Sequence, residues 1–361
     1  MTKFAIIGAG NAGLAMAGHL KRLGAEVSLY DVVEEQLKPL AATNNVITIT
    51  GPELAGESEI DLVTMNLAEA IEGAGLIICV TPAHVHRFVA RDLAHHLVSG
   101  QIILLHPGRT GGVLEFQKVL QQQKCPAEVL VVEAQTLLYA ARREGAAVNI
   151  FGLKKQVTCA GLPTAESRRF FDLIQPLLPQ FIPAPSIWHT SLHNIGMLFH
   201  PTPTLLNLGR MESGQPFDYY SDGFTPSIAA LIEKLDAERL AVAAAMGVTL
   251  PSVVAWLESS YGAVGQNLYE ALQNTANYRG IGAPRLLGLN DKLKLRYVIE
   301  DVPTGLVPVS ELGQKFGVKT PAIDAMVTLA NILFEADFRA SGRNLDQLGL
   351  NNLTPEEILS L

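Results

Sequence analysis

The chain has 361 residues, of which 48% are apolar and 17% charged, and its formal net charge is −8. That length exceeds one ordinary hydrophobic core and predicts two domains, while the low charge content excludes extended disorder. An acidic balance offers nothing to neutralise phosphates, so nucleic acid and anionic membranes are excluded as partners and a small-molecule substrate is expected.

Met1, Thr2 and Lys3 lead straight into an apolar run, which reads as the start of a fold rather than a secretory leader. Short aliphatic runs then recur at residues 4–7, 27–30, 76–80, 102–105 and 129–132, each of strand length and rich in Val, Ile and Leu. Segments 11–23, 85–97 and 113–122 between them place apolar residues at helical spacing. This alternation predicts a doubly wound, Rossmann-type parallel sheet covered on both faces.

The prolines Pro179, Pro183 and Pro185 break the pattern and predict irregular chain. A boundary there gives an α/β domain over 1–183 and a second domain over 184–361. In the second, helical patterns dominate at 227–246, 252–259 and 321–338, so an all-helical domain is expected. No apolar run reaches membrane-spanning length. Cys79, Cys125 and Cys159 are odd in number and lack C-x-x-C spacing, which predicts free thiols and no metal site. A soluble, cytoplasmic protein is expected, with a homodimer as the plausible assembly for a helical domain.

The first strand runs into Gly8-Ala9-Gly10-Asn11-Ala12-Gly13 at the opening of a helix. Gly8 suits the tight turn, Gly10 lets backbone approach a pyrophosphate, and Gly13 lets helix pack on strand. The second strand ends at Asp31, where a carboxylate hydrogen-bonds adenosine ribose hydroxyls and repels a 2'-phosphate; NAD is therefore the expected cofactor. Two further turns lie at predicted strand C-termini: residues 80–83, containing Pro82, and 106–112, containing Gly108. They are expected to line the cofactor, although ordinary turn chemistry also explains their Pro and Gly.

These motifs, with V-E-A-Q-T-L-L-Y-A-A-R from Val132, H-P-T-P-T-L-L-N from His200 and R-Y-V-I-E-D-V-P-T-G-L-V-P from Arg296, resemble the opine dehydrogenases over nearly the whole chain. The resemblance implies NADH-dependent, reversible condensation of a 2-keto acid with the amino group of an amino acid through an imine. It also implies catalytic roles for His200 and Asp301, a keto-acid carboxylate anchor at Arg296, and substrate contacts at Thr136 and Arg142. Residue chemistry agrees, because such a reduction needs proton handling, a carboxylate orients an imidazole, and arginine grips a planar carboxylate. Two departures concern the substrate pocket: Gly196 and the pair Ala134-Gln135 stand where relatives carry polar side chains.

Two other readings compete. A ketopantoate- or glycerol-3-phosphate-type reductase shares the domain pairing but uses lysine for proton chemistry, and the segment from Pro185 to Pro201 contains none. A non-catalytic NAD-binding sensor would need the glycine turn alone.

Overall fold

The computed structural model describes residues 2–286 and 289–361, with side chains at all of these except 277, 289 and 290. It separates into two compact units, one ending at Ser191 and including Leu361, the other spanning Leu192–Ser360.

The first unit is built on twelve strands: β1 (Lys3–Ile7), β2 (Glu26–Tyr30), β3 (Val46–Thr50), β4 (Gly56–Glu59), β5 (Leu62–Thr64), β6 (Ala74–Cys79), β7 (Ile102–Leu105), β8 (Leu130–Ala134), β9 (Tyr139–Glu144), β10 (Ala147–Leu153), β11 (Val157–Leu162) and β12 (Phe181–Pro183). Eight form one sheet in the order β12-β11-β8-β7-β6-β1-β2-β5. The strands β1, β6 and β7 are nearly continuous buried runs, as expected for strands covered on both faces. The all-parallel expectation needs one correction, because β11 runs antiparallel to β8. The short link from β8 through the β9–β10 hairpin returns the chain without a crossover helix, and only an antiparallel partner can be reached that way.

A second sheet, ordered β4-β3-β10-β9, was not anticipated. It packs against the first helix, α1 (Asn11–Arg22), whose Gly18 allows the approach: a Cβ there would lie 2.7 Å from Ile49 Cδ1. The Ser58 hydroxyl donates to the Gly18 carbonyl at 3.0 Å across the same contact.

The proline-rich stretch also differs from expectation, since β12 pairs in parallel with β11 from Val157↔Phe181 to Cys159↔Pro183. A proline at the end of an edge strand needs no ladder donor, which removes the conflict. The contact boundary falls after Ser191 rather than after residue 183, because the helix Ile187–Ser191 packs on β8 and β11.

Among its described residues the second unit is helical, with one isolated bridge between Asp218 and Gly282. Its longest helix, Pro226–Ala245, is capped by the Thr225 hydroxyl and carries a buried Asp236–Arg239 pair. Arg239 donates to the carbonyls of Leu192 and Pro251, and Asp236 accepts from the Val253 amide, so neither charge is left unsolvated. From the same helix, the Glu238 carboxylate accepts the Ala322 and Ile323 amides, both at 3.0 Å, at the start of helix Pro321–Phe334. No described helix is long and apolar enough to cross a membrane.

Candidate active site

In the first unit the glycine turn is shaped as its residues require. Gly8 sits at φ +108, and a Cβ on Gly13 would lie 1.8 Å from the Gly8 carbonyl oxygen, so only glycine permits that helix–strand approach. At Gly10 an added Cβ would meet nothing within 4 Å, leaving its backbone open to a ligand. Gly10 caps α1 without a side-chain hydrogen bond, and the first helical turn, with Asn11, Ala12 and Gly13, carries no acid. Unsatisfied amides and the helix dipole therefore suit a pyrophosphate there.

Asp31 closes the turn from the end of β2. Its Oδ2 accepts the Ala9 amide at 2.7 Å and its Oδ1 the Val33 amide at 2.9 Å, which leaves acceptor capacity for ribose hydroxyls. The turn after β6 lies against it, with Thr81 Cγ2 near 3.1 Å from where a Gly8 Cβ would stand, and Pro82 follows. These residues fit a dinucleotide.

The loop after β7 is locked from below by Glu133, a fully buried carboxylate that the sequence offered only as a landmark. Glu133 Oε1 accepts the hydroxyls of Thr190 at 2.7 Å and Ser191 at 2.6 Å, and Oε2 accepts the Val113 amide at 3.0 Å. Gly108 has an internal reason to be glycine, since its Cβ would lie 2.4 Å from Glu133 Cβ.

Thr136 accepts a hydrogen bond from Lys154 Nζ at 2.7 Å. Arg142 is exposed on β9, whereas its neighbour Arg143 turns to the glycine loop. The Arg143 guanidinium donates to the Ala9 carbonyl and to the Gln36 side chain, and the Arg143 amide donates to Asn11 Oδ1 at 2.9 Å. The second sheet thus braces the nucleotide turn, and Arg143 is a residue that sequence reasoning passed over.

In the second unit His200 stands at the joint between helices Gly196–Phe199 and Pro201–Leu206. Pro201 starts the second helix where no amide is needed, so the H-P step makes a corner. Tyr219 fixes that corner by donating its hydroxyl to the His200 carbonyl at 2.8 Å. The His200 ring stacks on Tyr297 with centroids 4.4 Å apart and planes 9° from parallel.

His200 Nδ1 lies 2.8 Å from Asp301 Oδ2, joining residues 101 positions apart. The imidazole keeps 20% side-chain exposure and the carboxylate 1%. With Nδ1–H donating to the carboxylate, Nε2 is the nitrogen left for proton exchange. Asp301 precedes a wide π-type turn, Val302–Leu306, whose Gly305 permits the contact with the His200 helix. A Cβ at Gly305 would lie 2.5 Å from Met197 Cβ. Gly196, the departure noted above, opens that helix.

Arg296 begins helix Arg296–Ile299, one residue before Tyr297. Its Nε and Nη2 both donate to Glu300 Oε2, at 3.1 and 2.7 Å, from a side chain that remains 58% exposed. Tyr297 was not singled out in sequence, although R-Y-V-I-E-D places it beside a residue that was.

Comparison with known proteins bears on both units. Residues 183–334 match the family model described as NAD/NADP octopine/nopaline dehydrogenase, alpha-helical domain, and residues 3–132 match that for the NAD-dependent glycerol-3-phosphate dehydrogenase N-terminus. The opine dehydrogenase of Arthrobacter sp. (strain 1C) is 41% identical over 99% of this chain and 98% of its own. Protein ocs of Agrobacterium tumefaciens (strain Ach5) is 27% identical with the same coverage. Among solved structures, an octopine dehydrogenase in complex with NADH and agmatine superposes with TM-score 0.80 at 20% identity, covering 100% of this chain and 98% of that one. A ketopantoate reductase from Ralstonia eutropha JMP134 reaches TM-score 0.63 at 17% identity, over 92% of this chain and 99% of that one.

Proposed function

The chain belongs to the opine dehydrogenase family and is an NAD-dependent oxidoreductase, and from that premise we propose that it joins a pyruvate-like 2-keto acid to an amino acid with His200 and Asp301 as its proton-handling pair. The observation that carries this reading is the 2.8 Å contact between His200 Nδ1 and Asp301 Oδ2. When bound, NADH supplies the hydride. Gly8, Gly10, Asn11, Ala12, Gly13 and Asp31 hold the dinucleotide, with the turns at Pro82 and Gly108 beside it.

Asp301 fixes the imidazole tautomer, while Tyr297 and Tyr219 fix the ring plane and the backbone. In the condensing direction protonated His200 donates to the keto-acid oxygen, the amine nitrogen adds to the carbonyl carbon, and that oxygen leaves as water as the imine forms; in the oxidative direction neutral His200 accepts a proton. Arg296 anchors the keto-acid carboxylate with the guanidinium edge that Glu300 leaves open. Thr136 and Arg142 contact substrate. The nucleotide is assigned to the first unit and the substrate to the second, with residues 184–191 counted in the first, and we place the enzyme in the cytoplasm and infer a homodimer, which sedimentation at graded concentration tests.

The functional test is NADH oxidation with pyruvate alone, with pyruvate plus a panel of amino acids, and with ketopantoate or dihydroxyacetone phosphate. Dependence on both a keto acid and an amino acid supports the reading. Turnover with ketopantoate or dihydroxyacetone phosphate alone overturns it in favour of the related reductases, and turnover with none of these leaves only nucleotide binding.

A further inference from the structure

Arg143 turns from β9 to the glycine turn and joins a closed ring of contacts at its edge. The Ala9 amide donates to Asp31 Oδ2 at 2.7 Å while the Ala9 carbonyl accepts from the Arg143 guanidinium, so a single residue separates an anion from a cation. The guanidinium also donates to the side chain and to the carbonyl of Gln36, and Asp31 Oδ1 accepts the Val33 amide at 2.9 Å. Helix Glu34–Ala41, which Val33 caps and which carries Gln36, closes the ring. With Nε donating to the Gly145 carbonyl at 2.6 Å, four of the five guanidinium N–H groups are placed; among the described residues the fifth, on Nη2, meets no acceptor.

The same edge suits the adenosine end of a dinucleotide. Strand β2 pairs with β5 in the register Tyr30↔Thr64, so Asp31 and Met65 leave the sheet side by side, and the side chains of Val32 and Met65 are exposed there. Apolar side chains beside the Asp31 carboxylate offer a surface for a purine ring. Burial presses the Arg143 guanidinium below its ordinary value, and the Asp31 charge works against that. The acids that open helix Glu34–Ala41, Glu34 and Glu35, lie 3.7 and 3.2 Å from Lys38 Nζ. The Gln36 side chain that Arg143 holds is neutral and exposed. A phosphate in its place is a charged acceptor, whose hydrogen bonds are about twice as strong.

We propose that Arg143 is a second specificity residue for the cofactor: across Ala9 from Asp31, it is placed to pair with the 2'-phosphate of NADPH, so that Asp31 alone bars that cofactor and removing its charge opens a 2'-phosphate site. That role rests on the nucleotide placement proposed above. In the wild type the Asp31 carboxylate repels the phosphate and NADH is favoured. In Asp31→Ser the repulsion is gone, the guanidinium remains, and a hydroxyl able to donate takes the carboxylate's place.

The experiment measures dissociation constants without turnover, for NADH and NADPH by fluorescence titration and for 5'-AMP and 2',5'-ADP by calorimetry. The proteins are wild type, Asp31→Ser, Asp31→Ser/Arg143→Ala and Asp31→Ser/Arg143→Lys. Because Arg143 also braces the glycine turn, its loss weakens every nucleotide, and the ratio within each phosphorylated and unphosphorylated pair cancels that common loss. Asp31→Ser is expected to shift both ratios toward the phosphorylated ligand about tenfold or more. Adding Arg143→Ala is expected to erase that gain, by about 10- to 100-fold for one charge-assisted contact, and adding Arg143→Lys to keep most of it. Ratios as favourable to the phosphate in Asp31→Ser/Arg143→Ala as in Asp31→Ser overturn the proposal and leave Arg143 a brace. Where Arg143→Ala lowers the melting temperature too far for titration, Arg143→Gln, which keeps donors without the charge, replaces it with the same two outcomes. Ratios that Asp31→Ser does not move overturn the placement of the ribose at Asp31, and the role of Arg143 with it.

Discussion

At Asp31 one carboxylate accepts the Ala9 amide, so the charge that the proposed site offers to a ribose is fixed in position before any cofactor arrives. NADH is therefore expected to give a higher kcat/KM than NADPH, and Asp31→Ser to narrow the ratio; equal use of both by the wild type contradicts the assignment. Arg296 poses a different problem, because it also pairs with Glu300, whose side chain is only 3% exposed. Arg296→Ala would remove both hydrogen bonds that it donates to Glu300 Oε2 and confuse binding with stability. Arg296→Lys keeps a positive charge but loses the two-pronged geometry, and is expected to raise KM for pyruvate about tenfold or more with little change in melting temperature or NADH affinity. An unchanged KM would return Arg296 to the role of a surface ion pair.

Between elements, two close approaches place the chemistry. Gly305 lets the π-type turn carrying Asp301 abut the helix that ends at His200, with Met197 Cβ only 2.5 Å from where a side chain would begin. Gly305→Val is expected to lower kcat strongly while NADH binding, which lies in the other unit, is retained. The second approach is the bracing of the glycine turn by β9. Arg143→Ala removes its bonds to the Ala9 carbonyl and Gln36 and is expected to weaken NADH binding about tenfold at nearly unchanged kcat, as measured by fluorescence titration and steady-state kinetics. Loss of kcat with intact NADH affinity would assign β9 some other role. In the helical unit, Glu238→Ala leaves two amides of helix Pro321–Phe334 without their carboxylate and is expected to cost about 1–2 kcal/mol, read as a lower urea midpoint at unchanged slope.

Across the molecule, what was legible in sequence followed the strength of local patterning. The strands β1, β6 and β7 are buried on both faces and read as nearly unbroken aliphatic runs, while β2 and β8 carry a buried Ser28 and a buried Glu133 within theirs. The second sheet escaped notice because β9 carries small and charged residues, β10 buries only Val148 and Ile150 between exposed neighbours, and β4 is Gly-Glu-Ser-Glu, a strand held by its pairing with β3 rather than by its composition. Among the site residues, the glycine turn and Asp31 announce themselves by spacing, and His200 and Asp301 by the segments that resemble a family. Glu133, Arg143 and Tyr297 did not, because each makes its contact with a distant part of its own unit, which no local pattern encodes. The central claim is that His200 and Asp301 act as one unit in an opine-forming reaction, and a double-mutant cycle on kcat tests it most directly. With pyruvate and an accepted amino acid at saturation, His200→Gln and Asp301→Asn are each expected to lower kcat by about a hundredfold or more with NADH affinity retained, and the double variant to be little worse than the poorer single. Near-wild-type turnover in folded His200→Gln, or losses that simply multiply in the double variant, would contradict it.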